Sequence, residues 1–99
     1  MFEEMAGTGL TGATLVDERS DKVGTITDVL VDDATLEPRW AVVRYGVRRH
    51  HALVPVGELY PAKDGAVVSR LDRELVHHAP RFHGDLPDTT EAEHYYHLG

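Results

Sequence analysis

Residues 23–56 read VGTITDVLVDDATLEPRWAVVRYGVRRHHALVPV, and the fold is decided there. Three apolar, β-branched runs are separated by an Asp-Asp turn signal and by a basic segment. Such runs favour extended backbone. They lie too close together for a crossover helix, so each pairs antiparallel with its neighbour. The stretch announces a small closed or nearly closed β-structure, and it announces no chemistry.

Working outward, Val23–Asp32 is the clearest strand. Ile26 and Asp28 share one face and Thr25, Thr27 and Val29 the other, until the alternation lapses at Val29-Leu30-Val31. A lapse of that kind marks a bulge or a strand buried on both faces as a sheet curls. Asp32-Asp33-Ala34-Thr35 with Glu37-Pro38 forms the next turn. Arg39–Val47 follows, with Ala41, Val43 and Tyr45 assigned to the core and Trp40, Val42 and Arg44 opposite. Trp40 and Val42 then need a cover, from another element or from a second subunit. Arg48–His51 is read as a hairpin tip and Ala52–Val56 as the fourth strand, Pro55 suggesting an edge or bulge.

Before this stretch, Leu10–Val16 reads as a first short strand and Asp17–Lys22 as a polar connection. After it come Glu58-Leu59-Tyr60 and Ala66-Val67-Val68, joined by the hairpin signal Lys63-Asp64-Gly65. Asp72–His78 suits a turn or two of helix ended by Pro80, with Leu71, Leu75 and Val76 on one side. Arg81–Asp88 reads as a polar connection. In Thr89–Leu98, Thr90 and Glu93 have capping-box spacing, and Ala92, Tyr95 and Tyr96 form a narrow apolar face. So short a helix needs a surface to dock on.

The chain has 99 residues, 41% hydrophobic and 27% charged, which suits one small globular domain. Chains of this size bury roughly 60–65% of their unfolded surface, so a second copy is a ready source of extra stability. Ten basic against 17 acidic residues give a net charge of -7. That disfavours nucleic acid and anionic membranes as main partners. The absence of cysteine removes disulfides and thiol chemistry. The first residues, MFEEMAGTGL, lack the pattern of a secretory signal. The expected setting is the cytoplasm.

Three stretches together resemble the PRC-barrel family, named after the cytoplasmic domain of the photosynthetic reaction centre H subunit. They are Lys22–Asp32 with Glu37–Val43, then Ala52–Val56, then Asp72–Val76 with Ala79-Pro80. The likeness spans Leu10–Pro80, and Tyr95-Tyr96 is reminiscent of stand-alone bacterial members. It implies an adaptor or docking module rather than an enzyme. The membrane helix of the H subunit and the second barrel of the ribosome-maturation members have no counterpart here, so those roles do not transfer.

Candidate chemistry is sparse. Seven histidines are the compositional oddity, among them the pairs His50-His51 and His77-His78 and the helix-spaced His94 and His97. Histidines three apart on a helix can share a metal if a third ligand arrives, whereas adjacent ones on a strand point apart. No matching carboxylate spacing supports a site, so no metal and no cofactor is expected. The histidines also leave a pH-responsive role open, since they change charge near physiological pH. Arg44, Arg48, Arg49, His50 and His51 form the basic cluster. It is either a docking patch for an acidic partner or RNA, or a solvated tip that keeps an edge from pairing. Ser20 and Ser69 lack an elbow motif. Asp28, Asp32 and Asp33 have structural duties, and Gly7-Thr8-Gly9 is too short to cradle a phosphate, so no catalytic residue is assigned.

The resulting expectation is an all-β fold, a small antiparallel PRC-type barrel of about six strands with a short C-terminal helix. Residues 1–9 form a flexible lead-in, 10–80 the barrel, and 81–99 a polar connection plus a helix docked on the barrel or a partner subunit. The expected role is a non-enzymatic protein-interaction module that self-associates as a homodimer. The candidate interface is Trp40, Val42, Tyr45, Tyr95 and Tyr96. A ribosome- or RNA-associated role and a histidine-based metal or pH role are the alternatives, with no membrane partner.

Overall fold

Seven strands form one sheet in the computed structural model, which describes residues 10–82 and 89–97. The strands are β1 (Thr14–Asp17), β2 (Lys22–Val31), β3 (Pro38–Tyr45), β4 (His50–Pro55), β5 (Leu59–Pro61), β6 (Val67–Ser69) and β7 (Arg81–Phe82). A single 3₁₀ turn, Val56–Glu58, links β4 to β5, and two short helices are α1 (Arg73–His77) and α2 (Thr89–Tyr95). The spatial order is β5-β6-β1-β2-β3-β4-β7.

The central meander β2-β3-β4 is antiparallel, as its sequence demands. Ala41 faces Val29 on one side and Val54 on the other, and Val43 faces Ile26 and Ala52. The lapse of alternation in β2 has its structural counterpart: the register slips between Ile26 and Asp28 and again between Leu30 and Val31. These bulges bend the strand, and the sheet curls over one interior. Asp32 starts the next turn by accepting the backbone N–H groups of Ala34 (2.8 Å) and Thr35 (3.2 Å). Those two bonds, helped by Arg39, hold its carboxyl below the usual range despite some desolvation.

The structure corrects the sequence reading in several places. The sheet is curled but not closed, because its outer strands β5 and β7 have only three and two residues and do not pair with each other. Where about six strands were expected, the described residues form seven; Arg81–Phe82, read as part of a polar connection, adds to β4 opposite His51 and Ala52. Nor is the sheet wholly antiparallel, since β1 and β6 run parallel, Leu15 beside Val67 and Asp17 beside Ser69. The antiparallel rule governs strands joined by tight turns, and here the whole β2–β5 excursion serves as the crossover. The first strand starts at Thr14, with Leu10 fully buried in the bend before it. Leu75 is 40% exposed, so α1 buries Val76 but not Leu75. Thr90 lies inside α2 rather than capping it, and Glu93 reaches Arg39 at 3.5 Å.

Two apolar layers result. The inner one holds Leu15, Val23, Ile26, Ala41, Val43, Tyr45, Val54, Leu59, Val67 and Val76. Each of the Val, Leu and Ile side chains among them contributes about 1.5–3 kcal/mol on burial. The outer layer lies on the other face of β3 and β4, where Trp40, Val42 and Leu53 pack under Ala92 of α2, with Tyr96 alongside. The chain's own C-terminal helix therefore supplies the cover that Trp40 and Val42 require. The Tyr96 hydroxyl donates to the Leu53 carbonyl oxygen at 2.7 Å, pinning the helix to the free side of β4 beyond the two-residue β7.

Candidate functional site

The β3–β4 hairpin turns through Gly46–Arg49, because Tyr45 pairs with His50. Gly46 (φ 78°) and Arg49 (φ 54°) both adopt left-handed backbone, and the Arg49 N–H closes the turn on the Gly46 carbonyl at 3.1 Å. Four loop residues thus hold Arg48 and the wholly exposed Val47 at the end of the sheet. Beside them runs the start of β2, Lys22–Thr25. The two strands approach so closely that a Cβ on Gly24 would lie 2.4 Å from the Arg44 carbonyl oxygen. Only glycine allows that approach.

Helix α1 forms the third wall, and tertiary contacts fix its position. The buried Asp17 carboxylate, at the end of β1, accepts the Arg73 N–H through Oδ2 (2.9 Å) and the N–H groups of Arg19 and Asp21 through Oδ1 (2.9 and 3.0 Å). Desolvation pushes this carboxyl up, but the three backbone donors outweigh it and its pKa is lowered. At the other end of α1, His77 Nε2 donates to the Val23 carbonyl at 2.8 Å. The His77 ring lies flat on Tyr45, with centroids 4.0 Å apart and planes 8° apart. The Tyr45 hydroxyl donates to the His77 carbonyl and accepts from Arg81 Nε at 2.9 Å.

These walls enclose an open cleft of about 680 Å³. Its charged lining comprises Lys22, Arg44, Arg48 and Arg73, with His50 and His77 beside them and no carboxylate among the described lining residues. Among the described residues the Lys22, Arg44 and Arg48 side chains form no ion pair, and Arg73 meets only the exposed Glu74, at 3.9 Å. Outside the cleft, Arg39 meets Asp32 and Glu93, Arg70 meets the Gly57 carbonyl and the Tyr60 ring, and Arg81 meets the Tyr45 hydroxyl. Tyr45 and His77 are committed to each other and to backbone, which leaves the lining with cations and no nucleophile–base pair. Such a lining suits binding an anion.

Of the basic cluster read from the sequence, Arg44, Arg48 and His50 line this cleft. Arg49 serves the turn. His51 and His50 belong to β4 rather than to the hairpin tip, and His51 points to the opposite face, where its ring packs near Phe82 at 5.8 Å. Lys22, Arg73 and His77 were not foreseen, since nothing local links them to residue 44. The aromatic candidates do not share one surface. Trp40, Val42 and Tyr96 belong to the outer layer, Tyr45 to the inner one, and the half-buried Tyr95 bonds the Leu75 carbonyl from α2. Ser69 is buried in a turn with Leu71, a structural duty. Among the described residues no three His, Asp or Glu side chains gather at metal-binding distance, and His83 lies outside them, as does the lead-in 1–9.

Fold and cleft together define a small β-rich module with a cationic concavity at the end of a curled sheet. The chain belongs to the PRC-barrel domain family, whose model matches residues 2–76. Members of that family are generally non-catalytic. No curated protein sequence matches the chain. Among the described residues no helix is long and apolar enough to cross a membrane.

Proposed function

We propose that this chain is a non-enzymatic interaction module that docks a partner protein through the cleft between β2, the β3–β4 hairpin and α1. The cleft itself carries the reading. Its walls are held by backbone and ring contacts, while among the described residues Lys22, Arg44 and Arg48 form no ion pair and Arg73 meets only the exposed Glu74, an arrangement that favours recognition over reaction. The outer apolar face, the other candidate contact surface, is occupied by α2 within the same chain.

A photo-crosslinking amino acid at Val47, wholly exposed on the cleft wall, tests this in cells, with Leu36 on the β2–β3 turn (74% exposed) as the control position. The expected result is a discrete protein adduct at position 47 that is absent at position 36 and lost on adding Arg44→Glu and Arg48→Glu. Equal adducts at both positions, or none at 47, overturn the proposal.

A further inference from the structure

Four of the chain's ten Lys and Arg residues line one cleft, and among the described residues none of its 17 acidic ones does. Four like charges that have, among the described residues, only the exposed Glu74 beside Arg73 to oppose them repel one another, which favours the entry of anionic groups. We infer that its ligand is a short acidic peptide segment of the partner, presenting several clustered Asp or Glu carboxylates; this inference rests on the docking reading above.

Three features select carboxylates on a peptide over the phosphates of a nucleic acid. The first is size. A cleft of about 680 Å³ lies within the range of sites that take a small ligand or a few residues. Single nucleic-acid-binding modules instead bury about 600–1,000 Å² along a polyanion. The second is the surrounding field. A polynucleotide would run past the rim onto the rest of a chain whose net charge is -7 even with the four cations included. A short peptide stays inside the cationic zone. The third is donor geometry. Arg44, Arg48 and Arg73 carry planar forks that take a carboxylate with two parallel N–H···O bonds. Among the described lining residues Tyr45 offers no free face for stacking a base, because it already stacks on His77 and is buried.

The test is fluorescence anisotropy with fluorescein-labelled hexaglutamate, hexalysine and a uridine decamer, using the full chain at low and moderate salt. Hexaglutamate binds saturably, hexalysine does not, and affinity falls as salt screens the cleft. Arg44→Gln with Arg48→Gln weakens hexaglutamate at least about tenfold, the loss of one or two charge-assisted hydrogen bonds. Lys63→Gln with Arg70→Gln makes the same charge change away from the cleft and moves affinity less than about twofold. Amide chemical-shift changes at Gly24, Thr25 and Gly46 on adding hexaglutamate give a readout independent of these variants. Failure of hexaglutamate to bind, equal weakening by both variant pairs, or tighter cleft-dependent binding of the uridine decamer overturns the inference. In each case a Val47 protein adduct would still uphold the docking reading.

Discussion

Replacing Asp17 by alanine removes one side chain and unsettles two elements. Asp17 as a residue is 3% exposed, and its carboxylate takes three backbone N–H groups, from Arg19, Asp21 and Arg73. Alanine leaves all three donors without their acceptor, in the β1–β2 turn and at the start of α1. Each such loss costs about 1–3 kcal/mol, reduced where water can reach the group, so the variant loses about 3–5 kcal/mol in total. That is a large share of the ~5–15 kcal/mol that holds a domain of this size. Asparagine discriminates further. Its single oxygen can keep Arg19 and Asp21, but its NH₂ group then faces the Arg73 N–H donor, a loss of about 1–3 kcal/mol. Trp40 is the only tryptophan and is buried, so its fluorescence in a urea titration reports unfolding. The pH dependence carries a definite sign. The folded carboxyl's pKa is lowered from 3.8, so its contribution is present above that value and is lost as pH falls through the folded pKa. The stability gap between the native chain and Asp17→Asn therefore narrows between neutral pH and the strongly acidic range. A gap that stays constant, or an alanine variant no worse than asparagine, refutes the reasoning.

Two further outcomes follow from the packing. Gly24→Ala drives a methyl group into the Arg44 carbonyl and to 2.8 Å from Val43 Cγ1, both fixed in the sheet. The cost is about 1–3 kcal/mol or more, and a urea midpoint equal to that of the native chain would contradict the close approach of β2 and β3. Trp40→Ala empties the outer layer at about 3–5 kcal/mol, whereas Tyr96→Phe removes only the bond to the Leu53 carbonyl, about 1 kcal/mol. Burial holds the Tyr96 phenol well above its ordinary range, so its stabilising share is present below about pH 10 and declines as pH rises beyond it. An alkaline absorbance titration that finds all four tyrosines ionising together would rule this out.

What could be read without coordinates was what neighbours in sequence decide. The pairing of β2, β3 and β4, the Asp32 turn, the inner face of Ala41, Val43 and Tyr45, and the bulged bend of β2 all follow from alternation and turn chemistry spanning a few residues. Half of the cleft's cations were visible for the same reason, because Arg44 and Arg48 sit on one hairpin. The rest was set by contacts between distant residues. Asp17 receives Arg73 from 56 positions away, His77 reaches Val23 across 54, and Tyr96 meets Leu53 across 43. These contacts place α1 beside the hairpin, add Lys22 and Arg73 to its charges, and lay α2 over Trp40. No local pattern encodes them, because each depends on how the curled sheet returns on itself. The parallel pairing of β1 with β6 and the open edge between β5 and β7 arise in that same closure, so tertiary structure alone decides which charges share a wall.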